Sequence, residues 1–164
     1  MKSSILTCIQ EAIHSDCEIT GKEKESLSEA QTNMSIKIKG KGQYLLYDFE
    51  QLKEIFPFFS NNIKNLKTIA DYVLISPNKN KVYVFVIELK KGKKSQIKQI
   101  EYTKQFMNFV LERIAKASKQ SFKWEVRGIG ISPVQVKISS PKLYNSDNNA
   151  FISGSMLKLQ MFKQ

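Results

Sequence analysis

Two cysteines (Cys8 and Cys17), one histidine (His14) and no Cys-x-x-Cys pair are all that this 164-residue chain offers to disulfides or soft metals. A disulfide framework is thereby excluded, and a structural zinc site is not expected. Cys8 and Cys17 read as buried or idle thiols, since no basic partner is placed to activate either. His14 reads as a surface or partly packed helix residue rather than a ligand. Long apolar runs are missing as well: none approaches the roughly 20 residues that cross a bilayer. The first apolar stretch, Ile5 to Ile13, is broken by Gln10 and Glu11, so no signal peptide is expected. The expectation is a soluble, cytoplasmic protein with no membrane contact. Acidic groups are the last shortage. Asp and Glu total 15 against 26 Lys and Arg, a net charge of +11. That surplus implies a polyanionic partner, nucleic acid ahead of an acidic membrane face, although net charge also serves solubility.

The rest of the composition is that of a globular protein, and the length suits one domain over residues 1–164 with a single core of sheet and helices. No internal repeat or long low-complexity tract interrupts it. Gly21 to Asn33 is polar and is expected as a loop or an exposed turn of helix. Ser35 to Lys39 alternates Ile36 and Ile38 with polar residues, the period of a half-buried strand. Gly40-Lys41-Gly42 marks a turn, and Gln43 to Phe49 a second strand. Glu50 to Phe59 is expected as a short helix with Leu52, Ile55 and Phe56 on one face.

The most strand-like runs come next. Thr68 to Ser76 and Lys81 to Leu89 are rich in β-branched residues, and Pro77-Asn78-Lys79-Asn80 between them predicts an antiparallel hairpin. Their near-continuous apolarity points to a sheet centre covered on both faces. After Lys91-Gly92-Lys93-Lys94, a helix is expected from an N-cap at Ser95 to about Lys116, with Ile97, Ile100, Met107, Leu111 and Ile114 inward. Trp124 to Ile131 predicts a strand in which Gly128 and Gly130 mark a close approach or a bulge. A polar loop at Asn145 to Asn149 precedes a last strand near Met156 to Phe162. The succession argues an α/β core around a mixed sheet.

Three charged residues stand inside the predicted hairpin: Asp71 near its start, Glu88 and Lys90 at its end. An antiparallel return brings both carboxylates to one end of the pair. Glu88 and Lys90 leave the same face of the strand, together with Val84 and Val86, while Leu89 points away. Two carboxylates and an ammonium beside an apolar wall suit a hard divalent cation with a basic companion. Such a cation activates water and stabilises charge on a phosphodiester, and the lysine can orient or deprotonate that water. Against this, Glu-x-Lys alone is common as a surface ion pair worth under about 1 kcal/mol. Its context gives it weight: an apolar strand before it, an Asp-bearing strand opposite, and a basic helix entrance after it.

The stretches Thr68-Ile69-Ala70-Asp71-Tyr72-Val73-Leu74-Ile75 and Val82-Tyr83-Val84-Phe85-Val86-Ile87-Glu88-Leu89-Lys90, followed by Gln96-Ile97-Lys98-Gln99-Ile100-Glu101, resemble motifs of the PD-(D/E)XK nuclease superfamily. Ala70 stands where the motif's name has proline. The resemblance spans about residues 68 to 114, within a motif-bearing core of about 68 to 131. It implies a restriction-endonuclease-like core, a mixed central sheet flanked by helices. It also implies Mg²⁺ or Mn²⁺ on Asp71, Glu88 and the Leu89 carbonyl, with Lys90 acting on the water and Gln99 near the metal. Many members add an acid from the first helix; Glu11 is the first choice here, with Glu18, Glu25 and Glu29 competing. Lys91, Lys93, Lys94 and Lys98, with Lys79 and Lys81, then form a candidate phosphate track, helped by backbone NH groups near Ser95. A solvated loop would look the same in sequence. Phe56, Phe58 and Phe59 could stack on bases, but core packing is the first expectation.

The resulting expectation is a metal-dependent endonuclease acting on DNA, with RNA not excluded. By analogy it would be an effector or subunit of a phage-defence, mobile-element-defence or repair system, which leaves room for self-association or a partner subunit. The alternatives are a non-catalytic nucleic-acid-binding module and a structural component of a larger assembly.

Overall fold

The apolar runs on either side of Pro77 fold back on one another as β4 (Tyr72–Asn78) and β5 (Lys81–Leu89), in register from Tyr72 opposite Ile87 to Asn78 opposite Lys81. This hairpin is the spine of the molecule. The computed structural model describes residues 4–21, 25–30, 33–52, 54, 56–79, 81–90, 93–133 and 144–163, without the side chains of 93–95. Within them, β3 (Leu45–Tyr47) adds antiparallel to β4, while β6 (Lys123–Ser132) and β7 (Asn149–Ser153) add parallel beyond β5. The order of this five-stranded mixed sheet is β3-β4-β5-β6-β7. A second mixed sheet joins β1 (Ser26–Glu29), β2 (Met34–Lys39) and β8 (Met156–Lys158) in the order β1-β2-β8. Two α-helices are described, α1 (Ile5–Ala12) and α2 (Lys93–Ser118).

Strand alternation sorts the central residues between two cores. Val73, Ile75, Val82, Val84 and Val86 pack with Leu6 and Ile9 of α1 and with Ile100, Met107, Leu111 and Ile114 of α2. Leu74, Tyr83, Phe85, Ile87 and Leu89 face the other way, against Leu27, Ile36, Ile38 and Leu157 of the small sheet. The fold is therefore mixed α/β in three layers. Both helices pack in the same core, and the small sheet covers the opposite face. Each fully buried Ile, Leu or Met of α2 contributes about 1.5–3 kcal/mol from burial.

Several expectations are corrected. The polar segment 21–33 contains β1, whose only buried residue is Leu27. Gly40 to Gly42 leads from one sheet to the other, because β2 and β3 enter different sheets. Glu50 to Phe59 is not an α-helix: a 3₁₀ turn at Phe49–Gln51 ends at Leu52. Pro57 disfavours helical geometry at Phe56 and lacks the NH that a helix needs; Ile55 lies outside the described residues. Ser95 is not an N-cap, since α2 starts at Lys93. Ile97 is exposed, and the inward stripe instead carries Gln96 and Thr103, both buried. The expected last strand is the short β8 followed by a 3₁₀ turn at Leu159–Lys163, with β7 before it.

The close approach expected at Gly128 and Gly130 is present. A Cβ on Gly128 would lie 2.3 Å from Asn149 Oδ1 and 2.3 Å from Ile100 Cγ2. Neither neighbour can yield: Ile100 is fully buried, and the Asn149 amide is hydrogen-bonded to Lys104 and Glu101. Gly128→Ala should therefore destabilise by about 1–3 kcal/mol, read as a lowered thermal midpoint. An unchanged midpoint would show that α2 can lift off β6 freely.

Candidate active site

The β4–β5 ladder stops at Tyr72 and Ile87, and the next two residues in register are Asp71 and Glu88, directly opposite one another. Here side chains replace the backbone rungs. The Leu89 NH donates to Asp71 Oδ2 at 2.7 Å, and the Asp71 NH donates to Glu88 Oε2 at 3.2 Å. Each carboxylate thus accepts from the other strand's backbone. Because the NH and carbonyl of a strand residue leave along the same edge, the Leu89 carbonyl is aimed to the Asp71 side as well.

Lys90 leaves the same face as Glu88. Its Nζ lies 3.9 Å from Glu88 Oε1 and donates to Gln99 Oε1 at 3.1 Å. Gln99 Nε2 in turn donates to the Ile69 carbonyl at 3.3 Å. The ammonium is therefore held by α2 and by the strand entrance together. Thr103 ties the same parts: it accepts from the Ala70 NH at 2.7 Å and donates to the Gln99 carbonyl at 2.8 Å. Gln96, one turn earlier on α2, is a clamp. Its buried Nε2 donates to the carbonyls of Lys90 at 2.9 Å and Ile131 at 3.0 Å, fixing α2 to the ends of β5 and β6.

These groups open into a cavity of about 680 Å³ lined, among the described residues, by five carboxyl residues, Glu29, Asp48, Glu50, Asp71 and Glu88, against one cationic residue, Lys90. Burial pushes Asp71 up to about 6; the Leu89 NH opposes this, while Glu50 and Glu29 add to it. Burial pushes Glu88, only 1% exposed, up to about 8, and the Asp71 charge pushes the same way. Two opposed carboxylates that resist ionising together are what an added hard cation relieves.

No match exists among protein-family models, curated proteins or solved structures.

Asp71, Glu88, Leu89, Lys90 and Gln99 come together as expected from sequence. The first-helix acid does not. Glu11 is exposed on α1 and absent from the cavity lining, Glu18 accepts from Gln10, and Glu25 lines a separate depression. Of the competitors only Glu29 reaches the cavity, from the end of β1, where Tyr72 OH donates to the Ser28 carbonyl at 2.6 Å. Glu50 and Asp48 were not anticipated. Asp48 accepts from the Glu50 NH at 3.0 Å and caps the 3₁₀ turn; an Asp two residues before a Glu was the available signal.

Among the candidate phosphate contacts, Lys79 and Lys81 sit at the far end of the hairpin, about 20 Å or more from Glu88 by strand rise, and Lys81 pairs with Glu125. Lys98 is exposed on α2, one residue from Gln99. Lys91 lies outside the described residues; Lys93 and Lys94 open α2, their side chains undescribed. Cys17 is buried with its thiol pushed up to about 11, chiefly by burial; His14 is exposed but lies beyond α1 rather than in it, where its Nδ1 accepts from the Asp16 NH. No described helix is long and apolar enough to cross a membrane.

Proposed function

We propose that this chain is a metal-dependent nuclease with a PD-(D/E)XK-type, restriction-endonuclease-like core, hydrolysing DNA phosphodiester bonds without a covalent intermediate. The observation that carries the reading is the opposed pair Asp71 and Glu88 at one strand end, with Lys90 held beside them by Gln99.

The donor set fits Mg²⁺ or Mn²⁺. No ready-made group of three or more His, Cys, Asp or Glu ligands is present among the described residues, so Asp71, Glu88 and the Leu89 carbonyl would be completed by water, as Mg²⁺ prefers. A cation bound there would lower the pKa of a ligated water and stabilise charge on the phosphodiester. The chain's own residues supply the rest. Lys90, 42% exposed and anchored at its tip, can orient the attacking water or offset charge growing on phosphorus. Glu88, with its pKa near 8 in the free protein, holds a proton at neutral pH that it must release to act as a ligand, so cation binding strengthens as pH rises. The described lining of the cavity is acidic, so a cation bound between Asp71 and Glu88 would offset the charge that repels a phosphate there. A place in a defence or repair system belongs to the same proposal.

Purified protein incubated with plasmid, linear and single-stranded DNA should cleave in Mg²⁺ or Mn²⁺ and not in EDTA. Binding indifferent to EDTA, with no cleavage in either cation, would assign a binding module instead. In the same preparation, replacing Lys91, Lys93 and Lys94 with Ala should flatten the salt dependence of binding, by up to about 0.9 log unit for each phosphate no longer neutralised. An unchanged slope would remove this segment from the interface.

A further inference from the structure

Beside the carboxylate cavity runs a second, apolar groove of about 660 Å³ between the segment around Phe58 and one side of α2. Six of its nine lining residues are aromatic, with Leu66, Thr68 and Gln105 between them. Phe56 packs edge-on to Phe106 at 5.1 Å and lies 5.6 Å from Phe59, which meets Phe58 at 4.4 Å. Phe106 packs on the core, but the outer rings are left in water: Phe58 is 75% exposed and Phe109 59%. Side chains of that kind left in water mark a surface with an occupant.

Two further observations say what the occupant is. Cations sit over the outer rings, Lys98 Nζ 5.8 Å from the Tyr102 ring and the Arg113 guanidinium 6.0 Å from that of Phe109. Flat faces bordered by positive charge match stacked bases joined by phosphates. The groove also neighbours the cavity along α2: Gln99 lines the cavity and Tyr102, one turn on, lines the groove. Gln99, Tyr102, Phe106 and Phe109 follow one another at helical spacing along α2, so the aromatic row begins about one turn from the residue that holds Lys90 and ends about 15 Å from it. Thr68, on the groove wall, leads directly through Ile69 and Ala70 to Asp71.

We propose that this groove stacks the unpaired bases of a single DNA strand whose backbone passes into the carboxylate cavity, so that the substrate is single-stranded or frayed DNA. The substrate assignment rests on the nuclease reading, whereas the stacking does not. Fluorescence anisotropy on the full chain in EDTA, with a labelled oligothymidine of about 16 nucleotides and a blunt duplex of equal length, tests it. Phe58→Ala and Phe109→Ala should each weaken oligothymidine binding by about tenfold and leave duplex binding unchanged. Phe58→Trp should bind as the wild type does. Both side chains are exposed, so thermal midpoints should hold. Equal losses on both probes, or no loss on either, overturns the proposal. So does a wild-type dimer in sedimentation that Phe58→Ala dissociates, which would make the groove a contact between copies. Single-strand binding that depends on Phe58, from a protein that cleaves nothing in Mg²⁺ or Mn²⁺, would keep the stacking groove and remove the nuclease. Cleavage by the wild type with Phe58→Ala binding normally would do the reverse.

Discussion

Glu88→Gln and Lys90→Ala should each lose DNA cleavage by on the order of 10² to 10³ or more, the usual cost of removing one group aimed at transition-state charge. Glutamine keeps the shape of Glu88 and the acceptor for the Asp71 NH, but removes the charge that would hold a cation. Alanine at 90 removes the ammonium 3.9 Å from Glu88 and leaves Gln99 in place. Neither change empties the core, because the sheet is held by the valines and isoleucines behind the site. DNA binding in EDTA should persist in Glu88→Gln, since deleting a negative charge does not weaken attraction to phosphate. Cleavage at wild-type levels in both purified variants would place the activity elsewhere or in a contaminant.

A second large effect is expected in stability against pH. Both acids have folded-state pKa values raised above their ordinary ones, Asp71 to about 6 and Glu88 to about 8. The folded chain then holds protons that the unfolded chain has released. Their contribution is fully present below about pH 4 and is lost as pH rises through those two values. Each unit of displacement is worth about 1.4 kcal/mol, and about 1 kcal/mol moves the midpoint of a chain this long by roughly 2–4 °C. Glu88→Gln has no proton to lose at that position. Without cation its thermal midpoint should exceed that of the wild type by several degrees above pH 8, and the gap should close toward pH 4. Excess Mg²⁺ should narrow the gap at high pH by stabilising the wild type, about 2.7 kcal/mol at a hundredfold its dissociation constant. Parallel pH profiles for the two proteins would show that Glu88 is an ordinary acid.

The site was legible where chemistry and local pairing coincide. β-Branched runs on both sides of a turn force a hairpin, and a hairpin fixes which residues lie opposite, so Asp71, Glu88 and Lys90 could be brought together from spacing alone. Helix α2 was legible from Ile100, Met107, Leu111 and Ile114, but its exact face was not. Buried Gln96 and Thr103 hydrogen-bond to strand carbonyls and an NH, and no hydrophobic period reveals such polar positions. The outer acids were hidden for another reason. Glu29 and Glu50 stand on a four-residue strand and a three-residue turn, whose placement depends on Tyr72 and Asp48 contacts rather than on their own sequence. The reading of Phe58 as core failed because a Pro-broken segment cannot turn all its rings inward; Phe56 and Phe59 are half-buried.

The two sheets also differ in how far apart along the chain their partners lie. Asp71 and Glu88 meet across a hairpin, a contact that closes within microseconds. In the small sheet Lys37 pairs with Met156, and contacts of such sequence separation set the pace of folding. On a growing chain the acid pair can therefore form at the open end of a hairpin well before β8 is made. The repulsion between the two carboxylates is then met first in water, where it is weak, and deepens only when the late strands close over the sheet.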